Sequence, residues 1–358
     1  MSEALNIDEF LKKAVALGAS DEHIIVGQPP FVRINGFMKK VAMPVITKSD
    51  ISEMILHIAP ENIAQELDTE KDIDFIYEIK GCSRFRVNYS RRLGSPAIVL
   101  RNIPYHIPTV QELRLPEVIN TFSKFQSGLV IVTGPTGSGK STTLASVINQ
   151  INLQEYKNII TIEDPIEYIF DCKKSMVSQR QIGPDVVSFA NGVKYALRQD
   201  PDVILIGEIR DLETMDAALK AAETGHLVLA TLHTNGAIQT VNRIVNLFDE
   251  SNRILARKRV AETLRAVVAQ KLVYSQEKNK RFPACEIMIV TPTIKDYIMK
   301  SESDEIYRLI SNNASEGMIT LNQSLAALVN EGLISGDEAM NSSSEQNELS
   351  KMLRGVYV

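Results

Sequence analysis

The sequence predicts an α/β protein in two parts, an antiparallel α+β domain followed by a mostly parallel sheet layered with helices. Three observations carry this. At 358 residues the chain exceeds the size at which one hydrophobic core usually stops growing. Its first third alternates short strand-like runs with turn signals. Beyond Gly128 the apolar runs become nearly continuous, as in strands buried on both faces of a parallel sheet. The expected division is residues 1–104 for the first domain, 105–126 for a linker, 127–290 for the parallel core and 291–358 for trailing helices and a tail.

Residues 7–17 carry apolar side chains at helical spacing, and Gly18 offers a stop. Runs 24–26 and 31–34 read as strands, and Asn35-Gly36 is a hairpin signal leading into 37–41. Thr47-Lys48-Ser49-Asp50 has the form of a capping box and opens a helix through His57. Runs 73–79, 83–89 and 97–103 complete an antiparallel sheet. Pro104, Pro108 and Pro116 punctuate the expected linker. In the second domain, runs 129–133, 158–162, 202–206 and 227–232 are the buried strands. Residues 251–273 read as one long basic helix with Arg253, Arg257, Lys258, Arg259 and Arg265. Residues 341–350 are polar and Ser-rich, which suggests a surface linker before a short tail.

Composition narrows the function. A net charge of −5 gives no general attraction to nucleic acid, so none is expected as a partner. No apolar run approaches the ~18 residues that span a bilayer. The start, Met1-Ser2-Glu3-Ala4, lacks the basic and apolar segments of a signal peptide, which points to the cytoplasm. Any membrane contact would then run through a protein partner. Cys82, Cys172 and Cys285 are widely separated and form no C-x-x-C pair, against both a disulfide framework and a zinc site.

The chemistry-bearing segments follow the buried strands. Gly134-Pro135-Thr136-Gly137-Ser138-Gly139-Lys140-Ser141-Thr142 fits G-x-x-x-x-G-K-[ST]. Its glycines permit a tight loop whose N–H groups converge on phosphate oxygens, and the helix opening at Lys140 adds its positive end. Lys140 supplies a charge for the terminal phosphates of ATP, and Ser141 a ligand for Mg²⁺. A Gly-rich turn matching by chance is the bland alternative; the strand before and the helix after argue against it.

Binding alone is not hydrolysis, which needs a group to orient water. Glu208 falls just past the run Val203-Ile204-Leu205-Ile206, at the strand end where ligands bind in such sheets. Gly207 stands where Asp is usual, and a helix-start carboxylate beside Arg210 and Asp211 is the competing reading of Glu208. Glu163 and Asp164 end another buried strand before Pro165; they suit holding Mg²⁺ through water or polarising a nucleophile, with a solvated turn as the bland alternative. His226 and His233 bracket a third strand, and only His233 sits at the end suited to sensing a terminal phosphate. A lone His is more often structural.

Together these segments resemble the secretion ATPase superfamily of type II secretion and type IV pili. Residues 197–211 match its signature L-R-x-x-P-D, four aliphatics, then G-E-h-R-D, in which Gly207 is usual. Residues 163–167 look like its Asp box and 225–233 like its His box. Within it the sequence is similar to PilT-type pilus retraction ATPases, through Ala19-Ser20-Asp21-Glu22-His23, Pro29-Pro30 and Arg33-Ile34-Asn35-Gly36. Gly317-Met318 through Gly332 looks like that family's closing helices. The resemblance implies a homohexameric ring, each subunit pairing a PAS-like N-terminal domain with a RecA-like P-loop NTPase domain. It implies an inner-membrane pilus platform protein as partner and a place at the inner face of that membrane.

Strand alternation sets Arg84, Arg86 and Asn88 on one face, with Phe85, Val87 and Tyr89 on the other. Composition alone favours a solvated basic face, whereas the resemblance implies that Arg86 and Arg101 are arginine fingers. Arg84, Arg180, Arg198 and Arg210 are weaker candidates for that role, since holding domains or neighbouring subunits together would account for each equally well. Retraction ATPases tend to carry A-I-R-N-L near the start of the C-terminal helices, where this chain reads Thr293-Ile294-Lys295-Asp296-Tyr297. The rival readings are a pilus-assembly or type II secretion ATPase, a RecA-like DNA translocase, and a nucleotide-gated scaffold without turnover. The assembly and secretion proteins usually have longer N-terminal regions and a four-cysteine zinc motif.

Overall fold

The computed structural model describes residues 6–64, 72–103 and 105–355. The stretch 1–4 and the boundary expected at Pro104 lie outside the described residues. The chain divides into two compact units, 1–106 and 107–358.

In the first unit, α1 (Ile7–Ala16) leads into β1 (Ala19–Ile25), β2 (Phe31–Ile34) and β3 (Phe37–Lys40). Asn35 and Gly36 have φ of 53° and 89°, the left-handed pair a tight hairpin turn requires. Next come α2 (Lys48–Ile58), α3 (Glu61–Ala64), β4 (Asp72–Ile79), β5 (Ser83–Arg92) and β6 (Ser95–Ile103). Thr47 and Asp50 close the expected capping box at the start of α2. The strands form one antiparallel sheet in the order β3-β2-β1-β6-β5-β4. Apolar residues of α1 and α2, among them Leu11, Ile51 and Ile55, pack with Phe85, Val87, Ile98 and Leu100. Glu22 of β1 is fully buried, and among the described residues neither carboxylate oxygen has a hydrogen-bond partner. Burial, with Asp21 beside it, pushes its pKa up to about 8.

In the second unit a 3₁₀ helix (Glu117–Lys124) precedes β7 (Gly128–Thr133), α4 (Lys140–Gln154), β8 (Asn158–Glu163) and β9 (Met176–Gln181). Then follow α5 (Phe189–Ala196), β10 (Val203–Ile206), α6 (Leu212–Glu223), β11 (Leu227–Leu232) and α7 (Ala237–Asn246). The chain continues through α8 (Arg253–Thr263), β12 (Leu264–Ser275), β13 (Lys280–Ile289), α9 (Pro292–Lys300) and α10 (Ser303–Asn312). It closes with α11 (Leu321–Asn330), α12 (Gly336–Ser342) and α13 (Gln346–Leu353). The sheet order is β13-β12-β7-β11-β10-β8-β9, parallel throughout except for β12–β13. Every residue of β7, β10 and β11 is buried, as continuous apolar runs require.

Three stretches differ from the sequence reading. The long basic helix expected over 251–273 is two elements, because α8 stops at Thr263 and Leu264 starts β12. From there Ala266-Val267-Val268-Ala269 pairs with β7 and is buried on both faces; β-branched residues suit that place. Ile107, Val110, Leu115, Ile119 and Phe122, from the stretch read as a linker, pack against Val130, Leu144 and Ile148. Residues 341–350 are folded too. Leu349 is fully buried with Leu325 and Ala339, and Ser343 Oγ donates to Asn322 Oδ1 at 2.7 Å.

Candidate active site

In a parallel sheet the carboxyl ends of neighbouring strands share one edge, and here β7, β11, β10 and β8 deliver their following residues there. Lys140, His233, Glu208 and Glu163 are thereby brought to one edge, as their strand positions lead one to expect.

The loop after β7 closes tightly. Gly134, Gly137 and Gly139 have φ of 142°, 77° and 87°, open to glycine at little cost. Gly139 caps α4 without a side-chain hydrogen bond, which leaves the first-turn N–H groups without intrahelical acceptors. Lys140 is buried, and its Nζ donates to the carbonyls of Gly134 at 2.9 Å and Pro135 at 3.0 Å. Burial lowers its pKa, and the charges of Glu208 and Glu167 pull it back up. The Ser138 hydroxyl, buried within the loop, has no hydrogen-bond partner among the described residues. Orphaned donors, an uncapped helix start and a positive amine make this cradle fit a nucleotide phosphate. Ser141 and Thr142 follow directly, in the first turn of α4.

Glu208 is held on both sides. Its Oε2 accepts from Arg210 Nη2 at 2.7 Å, and its Oε1 lies 3.1 Å from His233 Nε2. The Arg210 hydrogen bond keeps the carboxylate below its ordinary pKa, with the charges of Arg210, His233 and Lys140 adding to it. It is therefore ionised at neutral pH and able to accept a proton or orient water. Gly207 has a steric reason: a Cβ there would lie 3.3 Å from both Glu163 Cα and the Ile162 carbonyl oxygen.

Glu163 is buried, and burial raises its pKa. Thr161 Oγ1 donates to it at 2.6 Å and Gln179 Nε2 at 3.3 Å. Gln179 also donates to the Tyr168 carbonyl at 2.7 Å and accepts from the Phe170 N–H at 2.9 Å. Tyr168 OH in turn lies 2.9 Å from Thr142 Oγ1. Gln179 and Tyr168 thus tie Glu163 to the phosphate loop, and sequence reasoning missed both. The available signal was the Gln179-x-Gln181 alternation, which sets two amides on one face of an edge strand.

The turn carrying His233 is pinned to the same edge. The Thr234 N–H donates to Thr133 Oγ1 at 2.8 Å, and Thr234 Oγ1 lies 2.6 Å from Thr240 Oγ1. Glu286 Oε1 accepts from the Ala237 N–H at 2.7 Å, capping α7. His226, at the opposite end of β11, bonds the Ala221 carbonyl through Nδ1 at 2.9 Å.

Arg86 and Arg101 belong to the first unit, where they face each other in register across β5 and β6. Arg86 Nη2 lies 3.3 Å from Asp74, and Arg101 Nε donates to Asp21 at 2.9 Å. Arg84 pairs with Glu78 at 3.2 Å, and Arg198 stacks over Tyr195 at 5.7 Å. Residues 293–297 lie on α9, where Ile294 is fully buried. Among the described residues no helix is long and apolar enough to cross a membrane.

Comparison with known proteins agrees with this architecture. Residues 3–316 match the family described as Type II/IV secretion system protein. The type IV pilus retraction ATPase PilT of Pseudomonas aeruginosa is 40% identical over 335 residues, covering 94% of this chain and 97% of that protein. A twitching motility protein of Neisseria gonorrhoeae is 38% identical, covering 97% of this chain and 93% of its own. The crystal structure of the pilus retraction motor PilT with bound ADP superposes with a TM-score of 0.88 at 42% identity, covering 97% of this chain and all of that one. The chain belongs to the type II/IV secretion system protein family and, within it, to the PilT type of ATPase.

Proposed function

We propose that this chain is the subunit of a homohexameric motor that hydrolyses ATP to retract a type IV pilus. The observation that carries this reading is Glu208, ionised and clamped beside the phosphate loop, in a chain similar nearly end to end to a retraction ATPase. In this reading residues 134–142 hold the phosphates, Lys140 neutralises their charge and Ser141 ligands Mg²⁺. The ion, when bound, offsets charge on the phosphate oxygens. Glu208 orients the attacking water. His233 and Glu163 report phosphate state to the elements they are tied to. Arg86 and Arg101 complete a site in the ring by stabilising transition-state charge. The motor works at the cytoplasmic face of the inner membrane by turning a platform protein.

Pilus assembly is the second reading, favoured by Thr293-Ile294-Lys295-Asp296-Tyr297 in place of the retraction motif. Electron microscopy of cells lacking the gene, beside a complemented strain, separates the two. Retraction predicts more surface pili and lost twitching. Loss of pili would mean assembly instead.

A further inference from the structure

Gln270 lies in the middle of β12, is 3% exposed, and directly follows the apolar run Ala266-Val267-Val268-Ala269. One amide group reaches both sides of the phosphate loop. Its Nε2 donates to the Ser138 carbonyl at 2.7 Å, and its Oε1 accepts from Thr143 Oγ1 at 2.8 Å. Ser138 lies two residues before Lys140 and Thr143 three after it, so the bonds bracket the lysine. The backbone is equally close. A Cβ added to Gly134 would fall 2.2 Å from the Gln270 carbonyl oxygen, and one on Gly139 2.9 Å from Nε2. The loop therefore rests on Gln270 at its first glycine, its last glycine and the start of α4.

We infer that Gln270 is a positioning residue for nucleotide binding, an amide brace that fixes the loop in the shape its N–H groups need to meet phosphate. A buried amide is suited to this because it donates and accepts at once. Glutamate would set an oxygen against the Ser138 carbonyl, and an apolar side chain would leave that carbonyl and the Thr143 hydroxyl without partners. The strand is itself anchored. Lys271 Nζ donates to the Ser342 carbonyl at 3.1 Å, and Gln270 pairs in register with Cys285, whose N–H donates to Ser324 Oγ at 3.1 Å. The brace thus stands on a strand held by α11 and α12.

The inference rests on reading residues 134–142 as the phosphate site, so the test separates the two. Fluorescent ADP binding and steady-state ATPase kinetics are measured on wild type, Gln270→Met, Thr143→Val, the double variant and Lys140→Ala. Gln270→Met, close to isosteric, is expected to weaken ADP binding about ten-fold, with KM rising more than kcat falls. Thr143→Val removes one bond of the brace and is expected to have a smaller effect, with the double variant no weaker than Gln270→Met alone. That non-additivity marks a shared brace, which general loss of packing does not produce. Wild-type affinity in Gln270→Met, with binding lost in Lys140→Ala, overturns the inference and leaves the phosphate site standing. Wild-type affinity in Lys140→Ala overturns both. If Gln270→Met does not fold, Thr143→Val decides alone, and unchanged affinity there refutes the brace.

Discussion

His233 Nε2 and Glu208 Oε1 lie 3.1 Å apart, linking the ends of β11 and β10 across the edge where the phosphate loop opens. With Arg210 on its other oxygen, Glu208 has little freedom to move. Glu208→Gln keeps the shape and removes the charge. Nucleotide binding should persist while phosphate release slows by about a hundred-fold or more. Near-normal turnover would sink the role given to Glu208. His233→Ala should be milder, because it removes a neighbour of the carboxylate and not the carboxylate.

Gln179 is the joint between Glu163 and the loop that carries Tyr168. Gln179→Leu leaves the Phe170 N–H and the Tyr168 carbonyl without partners, at a cost of about 1–3 kcal/mol each where buried. Thermal melts should show reduced stability. Turnover should fall as well, because Glu163 loses one of its donors. Unchanged kcat alongside a lowered Tm would restrict Gln179 to a packing role.

Arg86 and Arg101 stand as cross-strand partners on the first unit. If they act as fingers in the ring, alanine at either should lower turnover by about a thousand-fold with nucleotide affinity nearly intact. The two differ in what they leave behind. Arg101→Ala removes the hydrogen bond to buried Asp21, so its melting temperature should drop further than that of Arg86→Ala. Wild-type turnover in both variants rejects the finger assignment.

Glu22 makes stability depend on pH. Its folded-state pKa of about 8 lies above its ordinary value of 4.5, so folding holds a proton the unfolded chain releases. Stability from this group is complete below pH 4.5, falls as pH rises toward 8 and is level beyond. Glu22→Gln removes that loss. Paired melts at pH 5 and pH 8 should show the variant gaining on wild type at the higher pH. A gap independent of pH would mean that Glu22 titrates normally.

Much of this was legible because the signals were local. The Asn35-Gly36 turn, the Thr47 capping box and the G-x-x-x-x-G-K-[ST] loop each fix their own backbone within a few residues. The runs ending at Thr133, Glu163, Ile206 and Leu232 identify their strands by being buried on both faces. What escaped depends on distant partners. Gln179 and Tyr168 acquire meaning only once β9 lies beside β8. The charged start of α8 hid the strand that follows, since Arg265 continues a basic pattern while Ala266 through Ala269 already belong to the sheet. At the tail, Ser343 and Asn322 satisfy each other, which a count of polar residues reads as solvent exposure.

The passage from α8 to β12 contains no loop, since Thr263 ends the helix and Leu264 begins the strand. Arg259 fastens the helix to Asp216 at 2.7 Å and to Glu223, both on α6. A loop at such a joint would act as a spring and absorb displacement. Here there is no slack. If a partner pushes on the exposed face of α8, where Ile254 and Leu255 stand among arginines, the displacement should pass directly to the strand beneath the phosphate loop. Two glycines inserted between Thr263 and Leu264 would add compliance, and would loosen mechanical load from ATP turnover while leaving each separately measurable.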